Sequence, residues 1–445
     1  MSPTNSLQQQ SLTHLLHSTL QDRITGVLIG SALGDTIGLY TEFLSSPQSK
    51  SSYPSAQFTL HPTPTPFHLD RHRAPFTPGH WTDDTDHAIL LLLSFLHNST
   101  PSNHVFPTQA DLASRLRIWA GQGFKPLGTM PLGLGKLMGT VLMSKGFDAE
   151  PEKIAREHWE VGTKKMAAPN GSLMRTHPVG LMTVWEGEGR CFELAAEISR
   201  ATHVDPRCVV ACVVGSGLVR AVVRGEVRSG GDVDGVIGRG RAWYCESMGD
   251  DSEGGFDWDE FDRYCGGKEG LAGLRLDQEP GIGYVYKTLG AGVVLLRMAV
   301  GKSRGVMDRV GLFEELITEL VMQGGDADTN ACFAGALLGG YLGFASLPDH
   351  WKLGMVHGKW LVGKAESLCQ ILHVKEGEYN GENDVDTAPL GGRPAVSQQE
   401  MEARWMVFQQ GVMRKMEEAK KVEEAKTGAS NSKSGWSVPW KKPKK

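Results

Sequence analysis

Apolar positions recur with a helical period in a long series of segments along this chain, separated by polar stretches of very different length. The first runs from Arg23 to Phe43, RITGVLIGSALGDTIGLYTEF. Helical patterns follow at Thr108 to Gly121, Leu132 to Ser144 and Pro151 to Thr163, the last opening with proline in its first turn. A further helix starts near Pro206, and Ile282 to Val300, Val310 to Met322 and Trp351 to His373 complete the series. Ser45 to Gly79, rich in Ser, Pro, Thr and His, reads as a long surface loop. Gly225 to Gly270 is Gly- and Asp-rich with little periodicity before WDEFDRYC, and reads as a loop insertion. Residues 1–22 are expected to be a flexible N-terminus. Beyond Lys375 the chain turns polar, with an isolated charged helix expected over Gln398 to Lys426. The main domain is thus expected over 23–373, and 374–445 as a polar, partly disordered tail.

Within this frame one segment stands apart, Gln323 to Gly343, QGGDADTNACFAGALLGGYLG. Two glycines deliver Asp326, Asp328 and Thr329 to the start of an apolar helix, with Thr329 and Asn330 in its first turn. Gly335, Gly339 and Gly343 then repeat at four-residue spacing on one face. Gly26, Gly30, Gly34 and Gly38 form a similar seam on the first segment. Glycine costs about 1 kcal/mol in a helix interior, so four of them predict close backbone approach, to the glycine face at Gly335. A second acid cluster, WTDDT at Trp81 to Thr85, also runs straight into an apolar segment, AILLLLSFL. Capping and the helix dipole account for either cluster alone. Together, oxygen ligands from distant parts of the chain fit a two-metal site for hard divalent cations. Asp35 and Glu42, seven residues apart, are expected on one side of a continued helix and in the same pocket.

Two polar turns add to the picture. Pro169, Asn170 and Gly171 form a turn before a helix that Ser172 can cap, and backbone N–H groups there suit an anionic phosphate. Thr202, His203 and Asp205 precede the helix near Pro206. Taken alone, Asn-Gly-Ser is also ordinary turn chemistry, and a lone histidine is more often structural than catalytic.

Composition narrows the function classes. The chain has 445 residues, 40% hydrophobic and 22% charged, which is globular, and its net charge of -5 gives no electrostatic reason to expect nucleic acid. Seven cysteines without a C-x-x-C pair argue against a disulfide framework or a zinc ribbon and point to a reducing compartment. Cys208 and Cys212 fit one helix face as core residues. The N-terminus lacks a secretory pattern, and the apolar stretches are interrupted before about 18 residues, so no membrane span is expected. A cytoplasmic monomer is the expectation, with the terminal KKPKK either a nuclear address or a solubilising tail.

In order, GSALGDTIGLYTE, WTDDT, APNGSLMRTHP, SRATHVDP, GYVYKTLGAG and QGGDADTNACFAGALLGGYLG resemble the motifs of the ADP-ribosylglycohydrolase family, which includes the dinitrogenase-reductase-activating glycohydrolases. The resemblance covers roughly Arg23 to Leu372 apart from the excursion after Gly225. It implies a compact all-α, orthogonal multi-helix bundle with two Mg2+ ions, or Mn2+, that cleaves ADP-ribose from a modified side chain. By that resemblance Thr82, Asp83 and Asp84 form the first ligand set and Asp326, Asp328 and Thr329 the second. Glu42 resembles the mobile acid of the serine-directed branch, where it caps one metal. Asn170, Gly171 and Ser172 match the phosphate-binding turn, and His203 a histidine near the distal ribose and phosphates, with Asp35 in the substrate pocket. Two departures stand out: Ala327 replaces the usual threonine between ligands, and the excursion is unusually long.

The mechanism expected from these residues is attack of a water at the anomeric carbon, with Asp83 or Asp84 orienting or deprotonating it and Glu42 protonating the leaving group or gating the site. The partner is then an ADP-ribosylated protein, through serine or arginine, or a small-molecule ADP-ribose conjugate. Three alternatives remain: a two-metal phosphoesterase, a non-catalytic ADP-ribose binding protein, and a structural protein on the same fold. Intact acid and hydroxyl positions argue against the last two.

Overall fold

The most extensive helix pairing among the described residues brings two backbones together along glycine, with Ser31 and Cys332 meeting beside the seam at 3.1 Å. In the computed structural model, which describes residues 3–249, 256–267, 269–303 and 311–431, the Pro3–Gly38 helix lies against the Ala327–Leu342 helix along the two glycine seams. A Cβ built on Gly26 would sit 2.2 Å from the Gly339 carbonyl oxygen, and one on Gly34 1.9 Å from that of Ala331. Gly26 and Gly30 meet Gly339 and Gly335 as predicted, Gly34 and Gly38 meet the backbone of Ala331 and Ala327, and Gly343 falls past the helix end beside Asp22.

Around this pair the described residues are helical throughout, with 18 α-helices and only isolated bridges in place of strands. Helices Val285–Lys302, Leu312–Val321, Leu173–Met182 and Pro206–Arg224 pack on the Ala327–Leu342 helix and enclose it. The Pro206–Arg224 helix is long and apolar enough to cross a membrane by length and composition, contrary to the sequence expectation. Of its 18-residue apolar window 94% of residues are buried within the protein, and it carries Cys208 and Cys212 as core residues.

Three boundaries differ from those expected. The first helix begins at Pro3, not at Arg23. Its early turns leave Leu12, Leu15 and Leu16 exposed, so they continue an already formed helix and need no buried face of their own. The 225–270 stretch is not a loop insertion: it holds the helices Gly230–Met248, Trp258–Cys265 and Gly270–Leu274. A capping box of Ser229 and Asp232 starts the first of these. Glycines blur its period, yet Val233, Val236, Tyr244 and Phe261 are buried and Phe256, Trp258 and Tyr244 form an aromatic cluster. Finally, 374–395 belongs to the main body and is no tail. Polar contacts do the work that apolar periodicity does elsewhere: the buried Lys364 bonds Asp384, Trp360 donates to Asp386, and Arg115 donates to the Thr387 carbonyl.

The chain divides into two compact units, one of residues 1–66 and 78–395, the other of 67–77 and 396–445. In the second, the expected charged helix spans Gln398–Asn431, and Lys415 donates to the carbonyls of Ala74 and Phe76. The KKPKK segment lies outside the described residues.

Candidate metal centre

Two helix starts and one turn bring the acids together. The Asp83–Asn98 helix begins at Thr82, whose hydroxyl accepts from the Asp84 amide as its cap. Asp326 stands at the start of the Ala327–Leu342 helix without a side-chain capping bond, leaving its carboxylate for the site and placing Asp328 in the first turn. The first helix ends at Gly38, so Glu42 does not arrive on a continued helix; it sits in the following turn, whose amide donates to the Gly38 carbonyl. That turn is pinned to the Gly-Gly before the second cluster: Phe43 N–H donates to Gly325 O at 2.6 Å and Gly325 N–H to Leu44 O at 2.9 Å. Gly324 and Gly325 have φ of 71° and 72°, where a side chain would strike the carbonyls of Leu44 and Leu276. The two glycines are therefore what lets the Glu42 turn and the Asp326 helix start share one place.

Glu42, Asp326 and Asp328 each present a carboxylate oxygen, all within 4.8 Å of one another and all buried. The first cluster reaches the same point, with the Thr82 hydroxyl 3.1 Å from Asp84 Oδ2 and 3.5 Å from Asp328 Oδ2. The Thr329 side chain lies beside Asp84 and Asp326 and lowers the pKa of each against the effect of burial. Burial, then the charges of neighbouring acids, pushes Asp83, Asp84 and Asp328 well above the usual carboxylate range, and burial raises Asp326 as well. Among the described ion pairs none involves Asp83, Asp84, Asp326 or Asp328. Asp84 Oδ1 is buried with no hydrogen-bond partner. Repelling carboxylates and an orphaned oxygen fit a hard, oxygen-seeking divalent cation, which would supply the missing positive charge.

Other expected site residues take different places. Asp35 is fully buried and faces the protein: its oxygens accept from the amides of Thr82 and Thr85 at 3.0 and 3.1 Å and from the Thr85 hydroxyl at 2.5 Å. Burial raises its pKa to about 6 against these bonds. It supports the first acid cluster and does not line the pocket. Asn170 likewise turns inward, donating to Asp326 Oδ2 at 2.8 Å and to the Thr288 hydroxyl at 2.9 Å. Thr288 passes the bond on to Asn330 at 2.7 Å. Ser172 starts the Leu173–Met182 helix without a side-chain capping bond; its hydroxyl instead accepts from Ser199 and lies beside Cys212. Gly171 and His203 do come together, with His203 Nε2 3.1 Å from where a Gly171 Cβ would stand. Ala327 is buried, as its place between ligands requires.

Sequence reasoning missed Thr85, Thr288, Gly133 and Gly283. The last two are glycines at the rim: a Cβ on Gly133 would lie 2.0 Å from Asp83 Oδ1, and one on Gly283 3.1 Å from Asp326 Oδ2. Gly283 is held there by Asn170 N–H donating to its carbonyl at 3.0 Å. Gly133 lies in a short Gly-x-Gly run, LGLG, which carries no acid or hydroxyl, and Gly283 opens the GYVYKTLGAG motif, whose spacing alone does not tie it to Asp326.

Known proteins share this architecture. The family described as ADP-ribosylglycohydrolase matches residues 16–380. An uncharacterized protein of Archaeoglobus fulgidus is 25% identical over 366 residues, 79% of this chain and 97% of its own length. An ADP-ribosylarginine hydrolase, Tri1, of Serratia proteamaculans is 23% identical over 378 residues, 82% of this chain and 86% of its own. Among solved structures, a chain from an ADP-ribosylglycohydrolase-related protein complex superposes with a TM-score of 0.50 at 21% identity, covering 80% of this chain and 99% of that one, which speaks for the fold. With the family match running from the first helix through the closing helices, the chain belongs to the ADP-ribosylglycohydrolases, hydrolases that act on glycosidic bonds.

Proposed function

We propose that this hydrolase uses a magnesium or manganese centre to release ADP-ribose from modified side chains. The observation that carries the reading is the convergence of Glu42, Asp326 and Asp328 with the Thr82–Asp84 helix start around the orphaned Asp84 oxygen. Thr82, Asp84, Asp326, Asp328 and Thr329, with Glu42, would hold two ions. Bound there, they would supply Lewis-acid chemistry, lowering the pKa of a water and gripping the ribose hydroxyls.

The chain's own groups then have separate tasks. Asp83, whose Oδ1 faces the Gly133 rim, takes one proton from the attacking water as its oxygen bonds to the anomeric carbon. The carboxylates around the carbon favour its developing positive charge. As the glycosidic bond breaks, the departing serine oxygen or arginine nitrogen needs a proton, which Glu42 would give only when protonated and swung off the ions; held on an ion it would gate the site instead. Gly171 and His203 would meet the diphosphate, and Asn170 keeps Asp326 aimed. The Serratia relative's name favours arginine as the linkage. Glu42 at the centre favours serine, through its likeness to the serine-directed branch.

Release of free ADP-ribose from arginine-linked and serine-linked peptides, each with magnesium, manganese or a chelator, tests the reading. Metal-dependent release from one peptide and its loss in Asp328→Ala are expected. Unchanged turnover in Asp328→Ala would sink the metal assignment, and release of phosphate or a nucleotide would favour the phosphoesterase.

A further inference from the structure

Arg175 is fully buried, yet its neighbours are neutral. Its Nη2 donates to the Thr202 hydroxyl at 2.6 Å and to the Ile198 carbonyl at 3.4 Å, and its Nη1 to the Gly171 carbonyl at 3.4 Å. Met138 Sδ lies 3.7 Å from Nη1, and Nε has no partner. Among the described ion pairs none includes Arg175.

A guanidinium can only donate, so the Thr202 oxygen accepts from it. The Thr202 hydroxyl proton then needs an acceptor of its own, and the atom in place is His203 Nδ1, at 2.7 Å. A nitrogen that accepts carries no proton. In a neutral imidazole the proton must therefore sit on Nε2. Burial, then the charge of Arg175, keeps His203 neutral by pushing its pKa well below the ordinary value. Nε2 is the atom beside Gly171, where the absence of a side chain leaves space for a ligand.

We infer that Arg175 and Thr202 are positioning residues that lock His203 in its Nε2–H tautomer, presenting a fixed hydrogen-bond donor to a diphosphate oxygen of ADP-ribose at the Gly171 turn. The inference rests on the proposed function for the identity of the ligand, and on the bonds alone for the tautomer. It differs from a purely structural role for Arg175, which would leave the proton on His203 unassigned.

Imidazole 15N shifts of the full chain separate the two tautomers, and His203→Gln identifies the signal by its loss. The wild type is expected to show a protonated Nε2 and a bare Nδ1 at neutral pH. Thr202→Val, which keeps the shape and removes the hydroxyl, should shift His203 toward the Nδ1–H form. It should also weaken ADP-ribose binding by about tenfold in calorimetry, the size of one lost bond to a charged group. Thr202→Ser should restore both. A wild-type His203 carrying its proton on Nδ1, or an unchanged tautomer in Thr202→Val, overturns the relay. A shifted tautomer with unchanged affinity overturns the assignment of the Nε2 proton to the ligand. If the wild type does not bind ADP-ribose, the functional reading fails, and with it the named ligand, while the 15N spectrum still decides the relay.

Discussion

Replacing Gly335 by alanine sets two effects against each other that the structure lets one weigh. The position is interior to the Ala327–Leu342 helix, so intrinsic propensity alone favours alanine by about 1 kcal/mol. Sterically, the new methyl would lie 2.2 Å from the Gly30 carbonyl oxygen and 2.9 Å from its carbon. Normal contact needs about 3.5 Å, so the two helices must part by about 1 Å. Both atoms belong to helix backbone, which has no rotamer to move aside. Overpacking of this kind costs about 1–3 kcal/mol, and a gap of that size forfeits roughly a quarter to a half of each contact along the seam. The net expectation is a loss of about 3 kcal/mol, or roughly 6 °C in thermal midpoint for a large domain. Gly363→Ala is the control: it lies within the Gly358–Ile371 helix with no atom within 4 Å of its would-be Cβ, and should stabilise by up to about 1 kcal/mol. Circular dichroism melts and urea titrations of both variants read the difference. A Gly335→Ala protein as stable as wild type would refute the claim that this seam is closed to side chains.

Three further outcomes follow from the site and the core. Asn170→Ala removes a bond to Asp326 Oδ2, and loss of such an outer partner should raise the magnesium concentration needed for half-maximal activity about 10- to 100-fold; an unchanged metal requirement would count against its supporting role. Gly133→Ala should lower both turnover and the thermal midpoint, because φ there is +96° and the new methyl would collide with Asp83 Oδ1; equal turnover would mean that Gly133 can move away from Asp83. Burial lowers the pKa of His177 to about 4, below the ordinary value of 6.5, so its neutral form is the one the fold accepts. Its contribution is complete above pH 6.5 and is lost as pH falls toward 4, by about 3 kcal/mol. The stability difference between wild type and His177→Gln, from urea titrations at pH 7.5, 6 and 4.5, should therefore shift in favour of the variant as pH falls, and a constant difference would contradict it.

The elements most legible in the sequence were those in which one residue type answered one physical demand. Four glycines at four-residue spacing had a single use, close backbone approach, and Gly26 to Gly38 serve it. Thr82 and Asp326 stand at helix starts because acids and hydroxyls gather there, and both clusters reach one point. Polar side chains with several uses were harder to read. Asp35 and Asn170 carry the atoms of substrate ligands, but nothing in their spacing tells whether those atoms face the pocket or a neighbouring amide. The 374–395 segment looked like a tail because its cohesion comes from Lys364, Asp384 and Thr387, not from an apolar period. Likewise the Gly230–Met248 helix hid behind its own glycines, each weakening the helical signal without breaking the helix.

The joining of Thr82 to Asp328 spans 246 residues. During synthesis the first acid cluster is therefore made long before its counterpart, and its carboxylates remain in water until the second cluster arrives. The full set of oxygens can assemble only once the Gly-Gly of 324 and 325 has been made, because Gly325 is what docks the second cluster on Leu44. Truncation before that point removes Asp326, Asp328 and Thr329 together and leaves Glu42 and the first acid cluster without their counterpart.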